Sequence, residues 1–125
     1  RSRTYHRGDF TTSGGYAQAI SLLERPNRPT AIFAGSDLQA MGVYEAARQL
    51  GLRIPEDLSV VGFDDVQTAA FLGPALTTVR QPLQDMARAA VRMLVEALST
   101  DDVLQPHIIM PTSLVMRNST QQLEG

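Results

Sequence analysis

The chain has 125 residues, of which 43% are hydrophobic and 19% are charged, and this is typical of one compact domain or two small lobes. Its 11 basic and 13 acidic residues give a net charge of −2, so the basic excess of modules that grip nucleic-acid phosphates is missing. Cysteine and lysine are absent and no apolar run approaches the roughly 20 residues of a membrane span, which excludes disulfides, thiolate metal sites, lysine-dependent catalysis and a membrane helix.

The pattern of apolar residues predicts strands and helices in alternation. Continuous apolar runs, such as TAIFAG and LSVVGF, are typical of parallel strands that are buried on both faces. Amphipathic stretches between them, opened by capping residues and closed by glycine or proline, predict the helices. The predicted elements in chain order are strand 3–7, a helix from the polar turn 8–13 to about 24, strand 30–35, a helix from 36–37 to 51, strand 58–63, a short helix from 64–65 to about 72, strand 76–80, and a long helix that begins at Pro82 and carries an apolar stripe over 83–98.

Beyond the long helix the pattern becomes irregular. Asp101, Asp102 and Pro106 predict a loop, and two short apolar stretches follow at 107–110 and 113–116 before a polar tail. The whole order of elements predicts an α/β fold with a mostly parallel sheet flanked by helices.

Polar side chains and one aromatic ring follow the carboxyl ends of the predicted strands, where ligands bind in open parallel sheets. Carboxylates and an amide exchange hydrogen bonds with hydroxyl groups, and a ring covers an apolar face. The set therefore suits a sugar or another small polyhydroxylated molecule. In strand order its members are Asp9 and Phe10, Ser36 and Asp37, Asp64 and Asp65, and Gln81.

Each of these residues also has a structural interpretation. Asp37 and Asp65 are better explained as residues that cap helix starts than as ligand contacts. Phe10 either stacks on a ligand or packs in the core, and Gln81 either contacts a ligand or satisfies backbone groups at a chain crossing. Asp64 ends its strand, and this position favours ligand contact.

Candidate catalytic groups are sparse. His6 and His107 are far apart in the sequence and neither has a partner at metal-ligand spacing, so a structural or surface role is favoured for both. The sequence motifs of nucleophile elbows, P-loops, zinc proteases and dinucleotide-binding folds are absent. The adjacent Asp64 and Asp65 would point in different directions, which makes them a poor acid–base pair. We therefore expect no enzyme, no cofactor and no metal site.

The second predicted helix carries apolar residues away from its core face. Met41 and Tyr44 lie off that face, and Phe71 and Leu72 could join them in one patch. Single surface hydrophobics are common and need no explanation. Two interpretations therefore stay open, namely scattered surface residues and a subunit contact.

Three motifs, in this order and spacing, resemble those of the LacI/GalR family of bacterial transcription regulators. They are RPTAIFAGSDLQAMGV at 28–43, IPEDLSVVGFDDV at 54–66 and LTTVRQPLQDMARAAVRML at 76–94. The resemblance runs from Gly8 to Arg117 and implies a periplasmic-binding-protein-like type I fold, in which an effector binds between two lobes. It identifies the chain as the C-terminal lobe of that fold, with a helix and strand that pack on the absent lobe.

The resemblance also implies roles for individual residues. A sugar is favoured over a purine as the ligand, although the serine at position 36 departs from the asparagine of some sugar-responsive members. The implied effector contacts are Phe10, Ser36, Asp64 and Gln81. The implied dimer contacts are Met41, Tyr44, Phe71, Leu72 and Pro74.

The family further implies a cytoplasmic homodimer with no membrane partner, in which a ligand shifts the population of conformations that hold operator DNA. DNA would be bound only by an N-terminal headpiece that these residues do not include. The implied division is 1–81 for the C-terminal lobe, 82–111 for the helix and strand on the other lobe, and 112–125 for the return strand and tail. The helix stripe then needs its host lobe, so we expect the chain alone to be poorly stable. Two other functions stay open as alternatives to a transcription regulator, namely an uptake receptor of the same fold and a small α/β hydrolase.

Overall fold

The computed structural model describes residues 7–99 and 107–123 of the chain. The predicted strand 3–7, apart from Arg7, the predicted loop at 101–106 and His6 lie outside the described residues. The fold divides into two compact units. The first contains the residues up to Arg80 and those from Leu114 onward, and the second is Gln81–Ser113.

A four-stranded sheet with the order β1-β2-β3-β4 organises the larger unit. β1 pairs in parallel with β2, and β2 pairs in parallel with β3, so three carboxyl ends meet at one edge. The predicted α/β fold with a mostly parallel sheet is confirmed. The strands are β1 (Ala31–Phe33), β2 (Ser59–Asp64), β3 (Thr77–Arg80) and β4 (Ser113–Val115).

Two helices of the larger unit, α1 (Thr12–Leu23) and α2 (Asp37–Gln49), contribute to its core, and both begin at side-chain caps. Thr11 Oγ1 accepts a hydrogen bond of 2.9 Å from the backbone N–H of Gly14. Ser36 Oγ accepts one of 3.2 Å from the N–H of Gln39. Such bonds satisfy donors that have no partner within the helix. Gly51, with a φ of 70°, follows the end of α2, as its predicted role as a helix stop requires.

Small residues let α1 and α2 approach each other closely. Gly15 and Gly42 are both buried at the crossing, and a Cβ added to Gly42 would lie only 2.9 Å from the carbonyl carbon of Gly15. The two helices and the sheet form one core, and the side chains in this core are almost completely shielded from water. Its buried members include Ala19, Leu23, Ala40, Val43, Ala46, Ala47, Leu58, Val60 and Leu76.

The segment after β2 differs from the prediction. A short helix was expected from Asp64–Asp65 onward, but a 3₁₀ helix covers only Gln67–Phe71. Asp64 and Asp65 have φ angles of 119° and 56°, and a right-handed helix cannot include them. Val66 occupies the cap position and makes no side-chain cap bond, so the prediction that Asp65 caps this helix is wrong.

The smaller unit consists mainly of α3 (Leu83–Ser99). Its apolar stripe is largely exposed, with Leu94 61% and Leu98 81% accessible, and of the described part of this helix only Ala89 is buried. A cavity of about 270 Å³ in this unit is lined by Met86, Ala89, Ala90 and Met93 of α3, by Gln81 and Pro82, and by Ile108, Met110 and Thr112. The predicted apolar stretch 107–110 has no regular structure, whereas 113–116 supplies β4. Among the described helices, none has the length and hydrophobicity of a membrane span.

Candidate ligand site at the strand ends

The carboxyl ends of β1, β2 and β3 bring several of the predicted contact residues to one edge of the sheet. Asp64 is the last residue of β2, and it lies opposite Arg80, the last residue of β3. Ser36 begins the turn from β1 into α2. Gln81 follows β3 but belongs to the smaller unit, where its backbone oxygen accepts a hydrogen bond of 2.9 Å from the N–H of Leu83.

Phe10 lies in the loop before α1 and does not pack in the core, since 69% of it is exposed. Its ring is beside Gly35, where an added Cβ would be 3.5 Å from Phe10 Cε1. Its neighbour Asp9 fixes the loop, because its Oδ1 accepts hydrogen bonds from Thr11 Oγ1 at 2.5 Å and from the Thr11 N–H at 3.3 Å. The ring is therefore presented to solvent next to the turn that follows β1.

Ser36 is buried, with 6% exposed, and its Oγ caps α2. Gln39, whose N–H donates that cap bond, also reaches the neighbouring loop, because its Nε2 donates to the backbone oxygen of Asp9 at 2.7 Å. These two residues thus connect the start of α2 to the loop that carries Phe10. The Ser36 hydroxyl also donates to Gln39 Oε1 at 3.5 Å. A hydroxyl has one donor and two acceptor positions, so these two bonds with Gln39 leave one acceptor position of Ser36.

Asp64 occupies a strained backbone position at the end of β2. It is half-buried, and its φ of 119° lies in a region that side chains other than glycine rarely adopt. Such a conformation costs about 1–3 kcal/mol and persists only where surrounding contacts hold it. Strained residues of this kind cluster at ligand sites, so the backbone adds to the argument from strand-end position.

Asp65 supplies contacts that hold this turn. Its Oδ1 accepts a hydrogen bond of 2.8 Å from Arg117 Nη2, and its Oδ2 accepts one of 2.7 Å from Arg80 Nε. Burial raises the pKa of the Asp65 carboxyl, but the hydrogen bonds from Arg117 and Arg80 outweigh burial and hold that pKa below its ordinary value. Asp65 is therefore an ion-paired residue of the turn, which explains its place in the fold without a helix cap.

Asp37 is completely buried and has a role that its position at a helix start did not predict. Its Oδ1 accepts a hydrogen bond of 2.6 Å from Thr78 Oγ1, and its Oδ2 accepts one of 2.8 Å from the N–H of Val66. The side chain thus ties α2 both to β3 and to the turn after β2, while Ser36 makes the cap bond. Thr78, whose hydroxyl is completely buried in β3, is the sequence signal for a buried acceptor nearby.

Arg117 was also missed in the sequence, because it stands alone before the polar tail. Its side chain is only 17% exposed. Besides the contact with Asp65, its Nη1 donates to the backbone oxygen of Leu76 at 2.9 Å. Nothing in the sequence pairs position 117 with position 65, since 52 residues separate them.

The predicted dimer contacts lie on α2, on the 3₁₀ helix and just after it. Tyr44 is partly buried, and its hydroxyl donates a hydrogen bond of 2.8 Å to the backbone oxygen of Pro74. The pKa of Tyr44 is raised to about 12, because the effect of burial exceeds the opposite effect of a hydrogen bond with Ser119. Phe71, at the end of the 3₁₀ helix, is 81% exposed, whereas Met41 and Leu72 are partly buried.

A separate cavity of about 820 Å³ runs along α1 and β1, with Phe10 and Gly35 among its lining residues. Its other walls are largely α1 and β1, and none of the strand-end carboxylates lines it. Across residues 7–99 and 107–123, no group of three or more histidine, aspartate or glutamate side chains is placed to hold a metal ion.

The chain is similar in sequence to a known domain family and to known transcriptional regulators. Residues 1–120 match the periplasmic binding protein-like domain family. An uncharacterized HTH-type transcriptional regulator of Streptomyces limosus is 50% identical over 113 residues, which are 90% of this chain and 32% of the relative. The HTH-type transcriptional repressor CytR of Escherichia coli is 38% identical over 94% of this chain and 34% of its own length. The chain thus spans about a third of these curated relatives.

Solved structures show the same fold. A LacI family regulator from Enterococcus faecium with bound ribose superposes with a TM-score of 0.84 at 28% identity, over 94% of this chain and 43% of that one. One from Lactobacillus casei with bound sucrose gives 0.75 at 35% identity, over 88% and 41% of the chains. The lac repressor dimer bound to operator and the anti-inducer ONPF gives 0.83 at 33% identity, over 90% and 39%.

Proposed function

Because the chain belongs to the LacI/GalR family of transcriptional regulators, within the periplasmic binding protein-like domains, we propose that it senses a sugar effector and forms part of a homodimer. The observation that carries this proposal is the strand-end site, where Asp64 ends β2 and Phe10 lies beside Gly35, just after the end of β1. Ribose and sucrose are bound in the two related structures, which supports a sugar over a purine.

In this proposal each contact residue has a chemical task. The Asp64 carboxylate accepts hydrogen bonds from ligand hydroxyls, and the Phe10 ring covers an apolar face of the sugar. Ser36 contributes the acceptor position of its hydroxyl that the two bonds with Gln39 leave, and Gln81 contributes its amide. A carboxylate that accepts hydrogen bonds from several sugar hydroxyls gives affinity. It also gives selectivity, because a ligand without those hydroxyls would leave the desolvated carboxylate without hydrogen-bond partners.

The proposed mechanism is a shift in population. The sugar binds between this lobe and a second lobe outside the chain, and it favours one arrangement of the two over the other. DNA affinity, carried by a headpiece that these residues do not include, changes by the coupling free energy between the sites. We place the protein in the cytoplasm, where operator DNA lies, and assign it no catalytic step. The relatives' names describe regulators, which favours this function over an uptake receptor.

The proposed dimer contact is the patch of Met41, Tyr44, Phe71, Leu72 and Pro74. The bond from Tyr44 to Pro74 makes α2 and the segment after the 3₁₀ helix one continuous surface. The exposed Phe71 ring supplies the kind of aromatic anchor that dominates subunit interfaces.

Replacing Asp64 tests the ligand site. In the full-length protein, we expect Asp64→Asn to weaken the binding of ribose or sucrose about tenfold or more, because a neutral amide accepts hydrogen bonds from hydroxyls less strongly. Isothermal titration calorimetry measures the affinity, and the melting temperature shows whether the variant is folded.

The matched control is Asp57→Asn, which removes a carboxylate just before β2, at the opposite end of that strand. Its partner Arg53 is 72% exposed, and such surface pairs contribute little to stability. We expect wild-type sugar affinity in this control. Unchanged affinity in a folded Asp64→Asn variant would remove Asp64 from the site.

A further inference from the structure

We infer that Arg117 is a positioning residue of the ligand site, because it holds, through Asp65, the strained turn that presents Asp64. The link to sugar affinity rests on the proposed function of Asp64. The link between Arg117 and the conformation of the turn rests only on the contacts of the described residues.

The Arg117 guanidinium is fixed on two sides. Nη1 donates to the backbone oxygen of Leu76 at 2.9 Å, and Nη2 donates to Asp65 Oδ1 at 2.8 Å. Its own backbone N–H donates to Thr77 Oγ1 at 2.9 Å, so the residue is fixed to the start of β3 before its side chain reaches the turn. A planar guanidinium with two directed bonds positions a carboxylate more narrowly than an ammonium group would.

The turn needs such a restraint. Asp64 and Asp65 both have positive φ, and such strained conformations persist only where surrounding contacts hold them. Asp37 restrains the residue that follows, since its Oδ2 accepts the Val66 N–H at 2.8 Å. The side chain of Asp65 provides a further point at which the turn is held.

Of the two arginines that bind Asp65, Arg117 is the stronger restraint. Arg80 is 56% exposed, so solvent screens its pairing and its side chain pays the entropy of an exposed ion pair. Arg117 is 17% exposed and Asp65 is 10% exposed, so their bond is shielded from water. Loss of Arg117 would leave a largely buried carboxylate with only an exposed partner, and the turn would relax toward ordinary backbone angles.

Amide hydrogen exchange in the unliganded full-length protein tests the restraint directly. The reporter is the peptide over 63–68, which includes the Val66 N–H bonded to Asp37. We expect Arg117→Gln to speed exchange in this peptide about tenfold, because the turn opens more often. Arg117→Lys, which keeps the charge but loses the planar fork, should give an intermediate rate and serves if Arg117→Gln does not fold.

The matched control is Arg53→Gln. Arg53 also binds an aspartate, Asp57, with its Nε 3.2 Å from Oδ2, but it lies before β2 and is 72% exposed. We expect wild-type exchange over 63–68 in this control. Exchange over 63–68 that stays at the wild-type rate in folded Arg117→Gln or Arg117→Lys would overturn the inference, whatever the ligand proves to be.

Sugar titration then connects the turn to the site. With ribose or sucrose as the probe, we expect Arg117→Gln and Asp65→Asn each to weaken binding about fivefold to tenfold, and the double variant to be no weaker than the weaker single one, as for two residues that act through one contact. Additive losses would overturn this shared route. If the wild type binds neither sugar, the proposed ligand fails, while the exchange result still decides the role of Arg117.

Discussion

Asp65 is the residue at which the structure predicts a dependence of stability on pH. Its pKa in the folded protein lies below that of an unfolded aspartate, about 3.9, so its charged form stabilises the fold at neutral pH. The contribution is complete above the unfolded-state pKa and is lost as the pH falls through the lower folded-state pKa.

We therefore expect Asp65→Asn to be less stable than the wild type by a constant amount from about pH 5 to pH 7, with the difference shrinking below about pH 4. Urea unfolding at a series of pH values measures this free energy. A difference that stays constant across that acid range would show that ion pairing with Arg117 and Arg80 does not cause the stabilisation.

The roles of single residues in this chain could be predicted from the sequence only in part. The order of strands predicts that Asp64 and Phe10 contact a ligand, and this stays a prediction. The structure has Asp64 at the end of β2 and Phe10 outside the core. Asp37 and Arg117 were not identified in their roles, because each acts through partners 29 to 52 residues away. Hydrogen bonds of that separation depend on the register of the sheet, which hydrophobic periodicity does not contain.

At the scale of elements, the crossing of α1 and α2 gives a prediction for stability. Gly42→Ala would place a Cβ 2.9 Å from the carbonyl carbon of Gly15, against backbone that cannot move without shifting α1. We expect this variant to lose about 1–3 kcal/mol of unfolding free energy, the usual cost of overpacking. Chemical denaturation monitored by circular dichroism measures the loss.

The control for that variant is Gly73→Ala, because a Cβ at Gly73 would meet no atom within 4 Å. We expect its unfolding free energy to differ from the wild-type value by no more than about 0.5 kcal/mol. Equal stabilities for Gly42→Ala and the wild type would mean that the two helices are not in the close contact described above.

The elements themselves were predicted to different degrees. The sequence pattern predicted the helix α2 correctly, because Ser36 caps its start and Gly51 follows its end. The sequence pattern did not predict the turn after β2, because aspartates before an amphipathic stretch normally indicate the start of a helix. Two consecutive positive φ angles, held by side-chain contacts from distant segments, override that local preference and delay the 3₁₀ helix to Gln67.

At the scale of the whole molecule, α3 carries an apolar face that is largely exposed. Val91, Leu94 and Leu98 are each more than half exposed, although they form the apolar face of a regular amphipathic helix. Exposed apolar faces of this size are unusual in soluble monomers. That a second lobe covers this face, and that the chain alone is poorly stable, both stay predictions of the family resemblance.

One measurement tests most directly whether a sugar controls DNA binding by the full-length protein. The affinity of the full-length protein for the DNA upstream of its own coding sequence is measured by fluorescence anisotropy, with and without saturating ribose or sucrose. We expect the sugar that binds the wild type to change this affinity about fivefold or more, the usual scale of allosteric coupling. In Asp64→Asn, we expect the sugar concentration that gives half of this change to be about tenfold higher. An affinity for DNA that is the same at every sugar concentration would contradict the account.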